Sequence, residues 1–413
     1  MVVSTSAKLQ ATQVEEHGLA QYTSLLPLRA ERMGEAAFSG PLMAEWDALH
    51  SRISPNMPFT SPSWNVLWWK HHRSNGLFKR DELCLIVIRD TRNALIAVAP
   101  MMCTWRPSFG PIRLQMLRFF GHDPNVTEIR GLVCEPEHEL AALEALRKFL
   151  RTEFPRADFI ELGAVRQENG AKAERKVLAG TRSSGREIDG YHLELPATWE
   201  ALRASRSRNI KESIRRCYNS LKRAGLTPEL RVLDSPAATP AALETFFRLH
   251  SMRSLATNTV RHGDVFRQAT ERAFLTEYAL DQARRGQLRI FQLLISGSVV
   301  ATRVGFLSND QIYLYYSGYD PAWSKYSVMT TLVVEAIKWS IEQRLTILHM
   351  STGTDVSKLR WSPAATRYVA YTEVPHHWKA SLSFGTYARA QRLLRRWAKA
   401  RVPAVEADST EAT

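Results

Sequence analysis

One order of elements occurs twice in this chain, and it restricts the fold more than any single motif does. The first copy opens with the strand pattern Leu83–Ile88, turns at Arg89–Asn93 and returns as Ala94–Ala99. A strand around Arg118–Gly121 follows. Then comes a helix over about 137–152, with Leu140, Leu143, Leu146 and Leu150 on one face. The buried strand Phe159–Leu162 closes the copy. The second copy opens with Leu288–Ile295, turns at Ser296–Ser298 and returns as Val299–Leu307. It continues with Gln311–Tyr319, a helix over about 327–343 and the strand Leu345–Met350. The copies share a pattern without visible sequence similarity. They predict an α/β protein with a mixed sheet, built from two related halves.

Composition narrows the class. The chain has 413 residues, of which 45% are apolar and 23% charged, so it can bury real cores and is not a mostly disordered chain. Its four cysteines, Cys84, Cys103, Cys134 and Cys217, form no CxxC or CxxH pair. That excludes a disulfide scaffold and argues against a zinc knuckle. The histidines lack HxxxH spacing, so no metal site is expected. The N-terminus has no basic region followed by an apolar one, and the longest apolar run, Leu95–Cys103, contains Pro100. That run is far short of the ~20 residues that span a bilayer. A cytoplasmic protein is expected.

Before each copy lie helices. Ser61 is placed to cap a helix with Pro62 at its first position, and Trp64, Leu67 and Trp68 repeat at helical spacing. Helices over about 199–224, 240–255 and 264–285 precede the second copy. Residues 164–190 are polar and mixed in charge, and they read as the natural linker.

Several short motifs, in this order along the chain, carry a resemblance. They are Pro58-Phe59-Thr60-Ser61-Pro62-Ser63-Trp64 with Trp68-Trp69, Ala99-Pro100, Phe120-Gly121 and the Arg-rich helix. Then come Gly318-Tyr319-Asp320-Pro321, Tyr326-Ser327 and Lys358-Leu359-Arg360-Trp361. With the repeated mixed sheet, they resemble tandem GNAT (acyl-CoA N-acyltransferase-like) domains. The likeness is nearest to a bacterial family associated with cellulose biosynthesis (CelD-type), and more distant to the Fem-type aminoacyltransferases. The resemblance implies a leader over 1–40, an N-terminal GNAT-like domain over 41–165 and a linker over 166–190. A catalytic GNAT-like domain over 191–375 and a basic helix with a disordered tail over 376–413 follow.

It also implies a chemistry. An acyl group would pass from acyl-CoA, a cosubstrate and not a permanent cofactor, to an amine or hydroxyl of a small-molecule, saccharide or lipid-linked acceptor. His349 is the candidate base by intrinsic pKa. Tyr326 is the candidate proton donor to the departing sulfur, and Asp320 stands beside it after the third strand. The loop before the central helix would hold the pyrophosphate through Ser324, Lys325, Ser327 and Val328. Such loops are usually glycine-rich, whereas Trp323–Thr330 has no glycine. Ser357 stands where the family has an aromatic.

The basic residues are concentrated. Residues 203–223 hold eight Lys or Arg against Glu212 alone, and residues 389–401 hold six against no acid. Together these segments supply +13 of the formal net charge of +14. In the first, Ile210, Ile214, Cys217 and Leu221 form an apolar stripe. Arg208, Lys211, Arg215 and Lys222 form a cationic ridge for an anion, and Lys358 and Arg360 extend the candidates. In the second, Leu393, Leu394 and Trp397 give an apolar side, as in a helix lying on a membrane surface or docking on the protein's own core. Two rival readings follow: a Fem-like enzyme using charged tRNA, and a non-catalytic, membrane-peripheral component of polysaccharide biosynthesis. General DNA binding is disfavoured, because no recognition motif is present.

Overall fold

The computed structural model describes residues 27–107, 113–167, 177–256 and 263–375, with Ala380, Leu382, Gly385, Thr386, Arg389 and Leu393 beyond them. Most of the leader, most of the basic stretch 389–401 and the acidic tail lie outside the described residues.

In the N-terminal half, β1 (Arg29–Met33), β2 (Arg80–Arg89), β3 (Leu95–Pro107), β4 (Arg113–Phe119) and β6 (Phe159–Arg166) lie side by side, and β5 (Val133–Cys134) pairs with β3. In the C-terminal half, β8 (Pro228–Leu233), β9 (Leu288–Ile295), β10 (Ser298–Ser308), β11 (Gln311–Tyr319) and β12 (Ile347–Thr352) repeat that order. Both copies therefore fold as the element order predicts. In each half the first four of these strands are antiparallel neighbours and the last pair is parallel.

Two strands between the halves join them into one sheet of thirteen strands. β7 (Thr181–Glu194) pairs with β12, and β13 (Ala364–Glu373) pairs with β6 and β7. The chain thus lays β7 against the half it is about to build and returns β13 to the half it has left. Residues 181–190, expected in the linker, are strand. Their polar composition hid them, because their place is fixed by the ladder to β13, a strand remote in sequence, and not by an alternating apolar face.

Helices cover the faces. α1 (Leu42–Arg52) and α2 (Pro62–His72) precede β2, and α3 (Glu139–Glu153) precedes β6. The expected cap holds, with the Trp64 amide donating to Ser61 Oγ at 3.2 Å. The helix expected over 199–224 is two, α4 (Trp199–Ser205) and α5 (Arg208–Arg223), broken at the extended Arg206 and Ser207. α6 (Thr239–Leu255) and α7 (Ala269–Arg284) follow, then α8 (Val328–Glu342) and the short α9 (Val356–Leu359). No helix among the described residues is long and apolar enough to cross a membrane.

An aromatic core joins the halves. The Trp64 ring, from α2, sits edge-on to Phe274 and Tyr278 of α7, with centroids 4.8 Å away in each case. Each such pair adds about 0.5–1.5 kcal/mol beyond area burial, so α2 acts as a fixed wedge and not a loose contact. α6 crosses directly over β11. A Cβ at Gly318 would stand 2.3 Å from the His250 amide nitrogen, so only glycine permits that approach.

Candidate active site at the β11–β12 split

β11 and β12 pair in parallel only from Gln311↔Ile347 to Tyr313↔His349. Beyond Tyr313 they part. There β11 bulges: Arg303↔Ser317 and Gly305↔Leu314 set three steps on β11 against two on β10. β12 distorts as well. Ser351 has φ +66°, unusual for a non-glycine residue, and the ladder to β7 is irregular between His349 and Thr352. Two strands bent apart at one level leave ladder groups that face the gap.

A carboxylate from the other half enters it. Glu128, on the loop after β4, is buried, and its Oε2 accepts from Tyr313 Oη at 2.7 Å and Ser351 Oγ at 2.6 Å. The Thr352 amide and Oγ1 donate to the same oxygen at 3.0 and 3.1 Å. The strained turn at Ser351 aims three donors at one oxygen, which is the reason to read the strain as functional. The same loop holds the tyrosine row, with Tyr315 Oη donating to the Val126 carbonyl at 2.5 Å and Tyr316 Oη to Asn125 at 2.8 Å. Cations surround the split. Lys358 Nζ donates to the Thr352 carbonyl and lies 3.6 Å from Asp355, while Arg253 of α6 donates to Ser317 Oγ at 2.9 Å. Burial lowers the pKa of both.

A second cluster lies at the start of α8. The turn Pro321–Tyr326 ends in Ser327, whose φ of +53° is the left-handed conformation that glycine usually supplies. The loop therefore makes the glycine's turn without the glycine. Arg360 bridges this end of α8 to α5, with Nη2 to Thr330 Oγ1 at 2.8 Å and Nη1 to Ser213 Oγ at 3.3 Å. A helix N-terminus beside hydroxyls and a guanidinium is suited to an anion.

The residues named from sequence divide between these places. His349 reaches the base of the split. There it is buried, its Nε2–H donates to Gln311 Oε1 at 2.9 Å, and its ring stacks on Tyr313. Burial, with His192 beside it, pushes its pKa down to about 3. That corrects the intrinsic-pKa argument for His349 as a base at neutral pH. Asp320 caps the turn, accepting from the Ala322 amide at 3.0 Å. Tyr326 is half-buried on that turn beneath Lys325, whose Nζ lies 5.0 Å from its ring centre. Ser324, Lys325 and Ser327 are exposed, and Val328 is buried.

On α5, Ile210, Ile214, Cys217 and Leu221 are buried as expected. Arg208 is paired with Glu212 at 2.7 Å, and Lys211 donates to the Ala204 carbonyl at 2.9 Å. Arg215 and Lys222 remain exposed, beside an open concavity of about 620 Å³ that Arg216 and Arg223 also line. Lys358 and Arg360 serve different places, the split and the α8 end. Elsewhere, Glu135, Glu137 and His138 come within 4.8 Å of one another before α3, a half-exposed group of a kind common without metal.

Residues 208–359 match the family model for the acetyltransferase (GNAT) domain. No curated protein matches the chain. Among solved structures, FemX aligns over 82% of this chain and 96% of its own, at 11% identity and a TM-score of 0.50. The C-terminal domain of a putative lysylphosphatidylglycerol synthetase from Agrobacterium fabrum covers 84% and 95%, at 11% identity and 0.46. A tandem GNAT protein from the clavulanic acid biosynthesis pathway covers 85% and 99%, at 9% identity and 0.41. At such identities the likeness concerns the fold alone. The chain therefore has a GNAT-like fold built from two similar halves, with the match to the acetyltransferase domain confined to the second.

Proposed function

We propose that the C-terminal half transfers an acyl group from acyl-CoA to an amine or hydroxyl acceptor held at the seam between the halves. The observation that carries this reading is the pairing of a bulged, parted β11–β12 with the N-terminus of α8 just beyond β11. The α8 end, with Ser324, Lys325, Ser327, the Val328 amide and Arg360, holds the pyrophosphate. A β11 amide freed by the bulge polarises the thioester carbonyl. The acceptor nitrogen or oxygen attacks that carbonyl, its new bond to carbon forms and the carbon–sulfur bond breaks. Tyr326 supplies a proton to the departing thiolate, and the acceptor's proton leaves toward Glu128.

The short motifs that resemble the CelD-type family are what favour work in exopolysaccharide or cell-envelope metabolism. Isothermal titration with acetyl-CoA and longer acyl-CoAs tests the donor: binding that weakens at least tenfold in Arg360→Ala supports it, and no heat with any of them removes it.

The exposed arginines of α5 favour a second reading, in which charged tRNA replaces acyl-CoA. It predicts tRNA binding with a steep salt dependence. Binding unchanged between low and moderate salt would count against it.

A further inference from the structure

Arg303 is the lone charged residue on β10, whose sequence is otherwise Ser298-Val-Val-Ala-Thr and Val304-Gly-Phe-Leu-Ser. Its side chain is buried, with the residue 9% exposed. Its hydrogen bond, from Nη2 to the Leu314 carbonyl, is long at 3.4 Å. Leu314 is the first β11 residue past the last β11–β12 pair, so the guanidinium sits where the strands part. Its Nε is buried without a hydrogen-bond partner, and Arg303 makes no ion pair with a described residue. Burial lowers its pKa to about 10, with the like charge of Arg253 adding to that effect, so it remains a cation at neutral pH.

A buried cation with no acid in contact costs several kcal/mol, and replacing it by an apolar side chain should be neutral or stabilising. One reason to keep such a group is a counter-charge supplied from outside the fold. Here Arg253 and Lys358 add two more cations at the same split, against the carboxylates of Glu128 and Asp355. All four hydrogen bonds to Glu128 fall on Oε2, which leaves Oε1 as the complementary acceptor for an ammonium or hydroxyl.

We propose that Arg303 anchors an anion subsite at the β11–β12 split, which takes a carboxylate or phosphate group of the acceptor while Glu128 faces its nucleophile. That the anion belongs to the acceptor rests on the acyl-transfer reading. That the split takes an anion does not.

Thermal unfolding of the full chain tests it, in chloride, acetate and phosphate at matched ionic strength. Arg303→Met is expected to unfold at the same or a higher temperature in chloride. Acetate or phosphate is expected to raise the wild-type midpoint by a few degrees and to leave that of Arg303→Met unmoved. The stronger of the two anions names the group. Arg303→Lys, which keeps the charge and loses the planar fork, should keep the chloride midpoint with a smaller anion shift. Arg215→Ser/Lys222→Ser should shift as wild type does, which separates the split from α5. A midpoint for Arg303→Met several degrees lower in chloride, or equal anion shifts in all variants, overturns the subsite. Acyl-CoA titration is read separately. Heat with acyl-CoA but no anion shift removes the subsite alone. An anion shift without such heat keeps the subsite and removes its assignment to an acyl acceptor.

Discussion

The two halves carry the same strand order and fill the same position with different groups. In the N-terminal half, β4 and β6 pair in parallel at Met116↔Phe159 and Leu117↔Ile160 and then part, as β11 and β12 do. That gap is filled. Glu161 Oε2 meets His122 Nε2 at 2.6 Å and Glu161 Oε1 meets Arg118 Nε at 3.2 Å, while Arg118 also donates to His122 Nδ1. Past them the chain itself closes the edge, with the Ala164 amide donating to the Arg130 carbonyl at 2.9 Å. The loop that plugs the first split is the loop that sends Glu128 into the second. One loop supplies groups to both splits. A duplicated fold can thus place a carboxylate where neither half alone could.

The largest expected effect breaks the plug's backbone. Gly163 has φ +76°, and a Cβ there would lie 2.6 Å from Gly131 Cα. Gly163→Ala should cost about 3 kcal/mol or more in chemical unfolding, through strain and overpacking together. A cost under about 1 kcal/mol would mean that the loop is free to move off β6.

Breaking its charges comes next. Glu161 is buried; desolvation alone would raise its pKa, but Arg118 and His122 hold it below the usual carboxylate range. Glu161→Gln leaves Arg118 without its acid and should cost about 3 kcal/mol. Because the folded pKa is depressed, the contribution of Glu161 is present at neutral pH and is lost as pH falls from about 4.5 downward, so the variant should show a flatter acid limb there.

Both splits hold a neutral histidine, and this gives a smaller, graded effect. Burial lowers His122 to about 4 and His349 to about 3, from 6.5. The unfolded chain binds protons first, so stability should fall with pH below about 6.5, by at most ~1.4 kcal/mol per pH unit for each ring. His349→Gln should reduce that slope. An unchanged slope would place the acid sensitivity elsewhere.

The mildest change touches chemistry alone. Tyr326→Phe should lower kcat about tenfold or more, leave KM for acyl-CoA unchanged and keep the unfolding midpoint. Equal losses in binding would make Tyr326 a packing residue of the turn.

Much of this fold was legible because each copy repeats strong apolar periods, from Leu83 and from Leu288, and ends in recognisable turns. The capping of α2 by Ser61 and the buried stripe of α5 were readable for the same reason. The first part of β7, residues 181–190, was not, since Arg-Ser-Ser-Gly-Arg within it has no strand period and its partners are remote in sequence; residues 191–195 do read as strand. The elements around the candidate site were legible in outline: the strand end at Tyr319, the turn before α8 and the closing strand. Its sharpest members were not. Glu128 lies in a loop whose composition says only turn, and its partners Tyr313 and Ser351 are about two hundred residues away. Arg303 left a usable signal, a lone arginine within an apolar strand. The basic face of α5 is the stronger signal, because exposed charge is dense in sequence while an unpaired buried charge is a single letter.

Hydrogen exchange of the full chain with and without acyl-CoA tests the central contrast most directly. Protection is expected at the amides of 327–331 and of β11 past Tyr313, with none at β4, His122 or Glu161. Protection in the N-terminal split, or in neither split, would contradict the assignment of acyl-CoA binding to the C-terminal split.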